Sequence, residues 1–268
     1  MNNYEYAQAI ANEITGATVI TAEKANRVVL TGIRVPTNTP NISANVYTDK
    51  YFDRGFSVDE GLTKVKEIMS DPEFMSVNFD MSWFSDFEQV KPRLVARLYN
   101  KKTTAEVWRS ASAYGFDDLI IIPYINVNGG SVKVKSEHLS HWGVTSDEVL
   151  DIAEENARND AKLQSMAEIL AEMMGASIPP CFEENDPQMW VISNTERCFG
   201  AYAVLALMDE LKKLFTGGFT VLPSSVHEVI VVNTTENADN MTGMVQDVNS
   251  TAVNTDEQLS DHAYIFAA

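Results

Sequence analysis

The longest apolar runs in this chain are "LIIIPYINV", residues 119–127, and "AYAVLALM", residues 201–208. Both fall far short of the roughly 20 residues that span a bilayer. A chain of this kind has to bury its apolar content, 45% of its residues, in many short helices and strands packed on one another. At 268 residues there is enough material for one large or two modest domains with real cores.

Local signals place the elements. Tyr4 to Ile14 gathers apolar residues on one face before Gly16, which predicts a helix. "ATVITAEKANRVVLTGIRV" then reads as strand, polar turn and strand, and "NISANVYTDKYF" as a third strand. Ser57 with Glu60, Thr145 with Glu148 and Ser165 with Glu168 have capping-box spacing, each ahead of apolar residues at helical period. "RLVARLY" is a strand, a helical stretch is expected around Trp108, and two strands are expected on either side of Asn128-Gly129-Gly130. Pro123 marks the first of that pair as an edge or bulged strand, because proline donates nothing to a ladder. Gly200 to Phe215 is apolar on most of its circumference until Asp209, so it reads as a central buried helix. "MWVIS", "FTVL", "VHEVIVV" and "AYIF" should be strands around it, with a Met-bearing helix from Asp239 to Val248. The expected fold is α+β, with mixed, mainly antiparallel sheets and helices packed on them. Two subdomains are expected, residues 1–90 and 91–268, joined through the aromatic and acidic segment "FDMSWFSDFEQVKP".

Net charge is −18. Such a surface repels phosphate backbones and anionic headgroups, so no direct nucleic-acid binding and no membrane partner are expected. A basic protein partner, or imitation of a polyanion that inhibits a nucleic-acid-binding protein, is the corollary. The N-terminal residues carry acids and lack a basic region before an apolar run, which reads as cytoplasmic. Cys181 and Cys198 have no neighbouring ligands at zinc spacing and read as free thiols. No glycine-rich phosphate loop is present, and no cofactor or resident metal is expected.

Chemistry-bearing residues concentrate late in the chain. All four histidines lie beyond residue 130, each beside a polar or aromatic neighbour: Glu137-His138, His141-Trp142, His227-Glu228 and Asp261-His262. If the last strand lay beside "VHEVIVV", His227 and His262 could meet and hold zinc or iron with carboxylate support. Ser224 or Ser225 with His227 and Asp261 supply the residue types of a catalytic triad. Against that, "PSSVH" has no nucleophile-elbow glycines, and Asp261 and His262 on one strand would face opposite ways. The alternative is architectural: Pro223 fixes a bend, the serines satisfy backbone groups, and the next strand begins at Val226.

"SEHLSHWGVTSDEV", "WVISNTERCFGAYAVL", "FTVLPSSVHEVIVV" and "LSDHAYIF", with "VVLTGIRV" and "FSDFEQVKPRLVARLYN", resemble the 5688 family of domains of unknown function, a clostridial gut-bacterial family. The resemblance spans nearly the whole chain and carries over no activity, cofactor or partner. It implies an intracellular protein of Gram-positive anaerobes, with matching positions at His138, Trp142, Gly200, Pro223, Ser224, Ser225, His227, Glu228, Asp261 and His262.

Together these features point to a non-enzymatic protein-binding or regulatory module. The competing expectation is a hydrolase or metal-dependent enzyme centred on Ser225, His227, Glu228 and His262.

Overall fold

A computed structural model of the chain describes residues 1–39, 42–75, 82–103, 108–127, 130–175, 188–223 and 225–268. Two compact units divide it, residues 1–81 and 82–268.

The first unit holds α1 (Asn3–Asn12), β1 (Thr18–Glu23), β2 (Val29–Pro36), β3 (Ser43–Tyr47), α2 (Asp49–Phe52), α3 (Val58–Met69) and α4 (Pro72–Met75). β1, β2 and β3 form an antiparallel meander, and α1 packs across β1 and β2 and against α3. Reciprocal capping boxes start both long helices, Ser57 with Glu60 as expected and Asn2 with Glu5 in addition. Tyr6, Ile10, Ile33, Val35 and Val65 make the core. Gly61 lets the helices meet there, since a Cβ would lie 2.1 Å from the Tyr6 hydroxyl.

The second unit begins within the aromatic segment. It contains α5 (Phe87–Val90), β4 (Leu94–Asn100), β5 (Arg109–Ser110), β6 (Leu119–Val127), β7 (Gly130–Lys133), α6 (Ser136–Trp142), α7 (Ser146–Asn159), β8 (Ala161–Ser165) and α8 (Met166–Met174). β9 (Met189–Asn194), α9 (Ala203–Ala206), α10 (Met208–Leu214), β10 (Phe219–Leu222), β11 (Val229–Val232), α11 (Ala238–Thr251) and β12 (Tyr264–Phe266) complete it. One antiparallel sheet has β6 flanked by β4 on one side and by the short β5 and β7 on the other. A second runs in the order β12-β10-β11-β9-β8, also antiparallel throughout. α7 lies on β4 and β6 and touches α9. The fold is α+β with antiparallel sheets, as the sequence pattern predicts.

Several elements depart from expectation for identifiable reasons. Pro123 sits in the middle strand β6, opposite Ala96 of β4. Its carbonyl accepts from Val134 N at 3.1 Å, on the β7 side, and the β7 ladder ends one pair earlier at Lys133. The absent N–H therefore falls where the partner strand stops. Trp108 precedes a strand, Arg109–Ser110, and not a helix; residues 104–107 of that predicted helix lie outside the described residues, as does the 128–129 turn. The 200–215 segment is buried over residues 200–206, as expected, and exposed at most positions from Asp209 on, and it forms two short helices broken at Leu207, φ −99°, ψ 5°. Its first turn is tightened by bonds three residues apart, Ala203 N to Gly200 O and Val204 N to Ala201 O. Ahead of it, Gly200 N and Ala201 N are tied to the bend at 226–227. β8, an edge strand, has too weak an alternation to be read from "AKLQS".

Candidate functional site

The bend that joins β10 to β11 carries the residues expected to react. Pro223 is buried, Ser225 and His227 are half-buried and Glu228 is exposed; Ser224 lies outside the described residues. β11 starts at Val229 and not at Val226, because the backbone of 225–227 pairs with three other segments. Ser225 bridges to Gln258, Val226 N donates to Glu257 O at 2.9 Å, and Val226 O and His227 O accept from Ala201 N and Gly200 N. Ser193 Oγ donates to His227 O at 2.8 Å.

The imidazole is fully engaged. Nδ1 of His227 accepts from Phe199 N at 3.1 Å, which assigns the proton of the neutral ring to Nε2, 3.4 Å from Glu257 Oε1. Ser225 Oγ accepts from the backbone N–H of His227 at 3.0 Å, so the hydroxyl serves the bend. No bond joins the Ser225 hydroxyl to this ring.

Asp261 and His262 precede the short β12, so the strand pleat expected to separate them does not reach them. Asp261 Oδ1 and Ser260 Oγ lie 3.1 and 3.2 Å from the same ring nitrogen, His262 Nδ1. A relay needs its acid and its hydroxyl on opposite ring nitrogens, so this geometry cannot pass a proton from serine through imidazole to the acid. Asp118 collects Ser260 Oγ at 3.1 Å, Asn100 Nδ2 at 3.2 Å and the Tyr264 hydroxyl. Burial first, then the Asp118 bond, raises the Tyr264 phenol above its usual range, and the His262 bond holds Asp261 below the usual carboxylate range.

His138 and Trp142 share a third place, on α6. Trp142 Nε1 donates to Phe84 O at 2.8 Å, and the rings of Phe84, Phe87, His138 and Trp142 pack with centroids 5.1 to 5.6 Å apart. His138 Nδ1 accepts from Lys135 N at 3.2 Å. Burial first, then the charge of Lys135, depresses its pKa. His138, His227 and His262 thus have three separate sets of partners, and among the described residues no three His, Cys, Asp or Glu are grouped to hold a metal.

A concavity of the second unit lies elsewhere. A cavity of about 490 Å³ is bounded by β4, the β6–β7 hairpin, the C-terminal turn of α7 and the loop from β9 to α9. Arg97, on β4, is 7% exposed. Its guanidinium is sandwiched between the rings of Phe199 and Tyr124, 4.0 and 4.4 Å from their centroids. Among the described residues it makes one long hydrogen bond, Nη2 to Asn126 Oδ1 at 3.4 Å, and no ion pair. A guanidinium has five N–H donors, so most of this one's capacity is unspent and opens on the cavity.

The loop over Arg97 is strained and heavily tied. Arg197 and Phe199 have φ of 50° and 52°, a conformation worth about 1–3 kcal/mol of strain for a side-chain-bearing residue. Asn194 clasps the loop twice, Oδ1 accepting from Cys198 N at 3.0 Å and Nδ2 donating to Cys198 O at 2.9 Å. Gly200 is required at its end, because a Cβ would fall 2.4 Å from Asn194 N. His227 supplies a further anchor, through Phe199 N. The polar bend therefore holds the aromatic ring over Arg97, and none of its described residues lines the cavity.

The model of the family of unknown function DUF5688 matches residues 5–268. The chain belongs to that family. No curated protein and no solved structure matches it. Among the described residues no helix is long and apolar enough to cross a membrane.

Of the described residues expected to form a site, none lines the cavity. Arg97, Phe199 and Tyr202, which do line it, were not singled out by sequence; Cys198 was read only as a free thiol and Gly200 only as a family-matching position. One signal was available: "LVARLY", residues 94–99, has no alternation, as in a strand buried on both faces, and Arg97 lies in the middle of it.

Proposed function

We propose that the second unit is a non-enzymatic binding module whose ligand places an anionic group on Arg97. The observation that carries this reading is a nearly buried guanidinium with one long hydrogen bond and no carboxylate partner among the described residues, facing a cavity. Burying an unpaired charge costs several kcal/mol, and two ring contacts return only about 0.5–2 kcal/mol each. A ligand carboxylate or phosphate would complete the fork bidentately. The cavity's volume lies within the range of small-molecule sites. It therefore suits a small molecule or the end of a protein partner's chain better than a broad protein face. In a chain of net charge −18 such a site selects by geometry, since the rest of the surface repels anions.

The test is the unfolding temperature of the full chain in inorganic phosphate or succinate, against chloride of equal ionic strength, for wild type and Arg97→Met. We expect the acids to raise the wild-type transition and leave the variant's unchanged, with the variant at least as stable as wild type without ligand. Equal shifts in both proteins, or an Arg97→Met that loses stability, would assign Arg97 a structural role.

A further inference from the structure

The cavity is polar in two senses. Arg97 lines it from β4; the C-terminal turn of α7, represented by Ala157 and by Asp160, which caps that helix, lines it from another element. The last carbonyls of a helix of 14 residues lack intrahelical donors and carry the negative end of its dipole. Asp160 adds a full charge there. Its Oδ1 accepts from Thr195 N at 3.3 Å, while Oδ2 has no hydrogen bond among the described residues. Glu196, from the loop, lines the same space. Apolar groups, Val95, Val127 and Ala203, line it as well.

A simple anion on Arg97 satisfies one end of this cavity and leaves Asp160 and Glu196 without a cation; a simple cation leaves Arg97 without an anion. We infer that the ligand is a zwitterion with an apolar body, a free amino acid or short peptide whose carboxylate meets Arg97 and whose ammonium meets Asp160 and the end of α7. This rests on the Arg97 reading and narrows its ligand.

Calorimetric titration of the full chain with three probes tests it: the dipeptide Leu-Ala, its C-terminal amide, and 4-methylpentanoyl-alanine, which is the same dipeptide without its amino group. Leu-Ala should bind, and each of the other two at least tenfold more weakly. Asp160→Asn keeps the acceptor for Thr195 N; it should weaken Leu-Ala about tenfold and leave the affinity for 4-methylpentanoyl-alanine equal or higher. If the deaminated probe binds as well as Leu-Ala, or Asp160→Asn has no effect on Leu-Ala, the zwitterion is refuted while the anion reading stands. If the amide binds as well as Leu-Ala, the role of Arg97 fails as well. Binding of none of the three refutes the peptide class and leaves Arg97 to the phosphate and succinate test.

Discussion

Two arginines on the same sheet show opposite uses of one side chain. Arg109, on β5, is ringed by carboxylates: Asp151 Oδ1 at 2.8 Å, Glu154 Oε1 at 3.0 Å and Asp147 Oδ1 at 3.3 Å. Arg97, more deeply buried on β4, has none among the described residues. The first is a clamp between β5 and α7, its charge answered within the chain. The second is held flat by aromatic rings with its donors facing a cavity. A buried charge answered internally is architecture; one positioned and left unanswered is set for something that arrives from outside. The histidines fall on the first side of that division, because His227, His262 and His138 are each bonded to the protein's own groups.

The comparison breaks most sharply at Arg109. Asp147 and Asp151 are 84% and 69% exposed and their pairs contribute little, but Glu154 is 12% exposed and would be left without its cation. Arg109→Met should lower unfolding free energy by about 2 kcal/mol in urea titrations, where Arg97→Met lowers it by nothing. Comparable losses at both positions would erase the distinction.

His227→Ala comes next. It removes the acceptor of Phe199 N and frees the ring over Arg97, so about 1–2 kcal/mol of stability should go with most of the affinity for a ligand on Arg97. His227→Asn places an oxygen near the Nδ1 position and should restore affinity while the Glu257 contact stays lost. An alanine variant with wild-type affinity would uncouple the bend from the cavity.

The smallest effect is expected at His138. Its folded-state pKa lies below the unfolded value near 6.5, owing to burial and then to Lys135. The stability it contributes is therefore present above about pH 6.5 and lost as pH falls through the lower folded value. Urea midpoints at pH 8 and pH 5.5 should fall further for wild type than for His138→Asn, which keeps an acceptor for Lys135 N but does not titrate. Parallel slopes would mean the aromatic cluster is indifferent to the charge of this ring.

Element types were legible wherever a local cause sufficed. The Ser57 and Ser165 boxes, the meander after α1, the β6 and β7 pair and the burial of 201–208 all follow from caps, turns and apolar periodicity. Legibility ended where a distant segment competed for the backbone. Val226 looks like strand but gives its hydrogen bonds to Glu257 and Ala201, and the helix expected from Gly200 starts late for the same reason. Pro123 reads as an edge residue because sequence cannot show that a neighbouring strand ends opposite it. The site was the least legible part. Residue chemistry drew attention to serine and histidine, whereas the distinguishing feature of Arg97 is a partner it lacks.

Taken alone, the sequence determined an α+β chain of short, well-capped helices and antiparallel strands, because caps and apolar periods act over a few residues. The tertiary structure decided which polar groups are spent and which are free. That depends on segments as far apart as Arg97, Asp160, Phe199 and His227 meeting, and hydrogen-bond capacity is consumed by whatever lies within about 3 Å in space, not by neighbours along the chain.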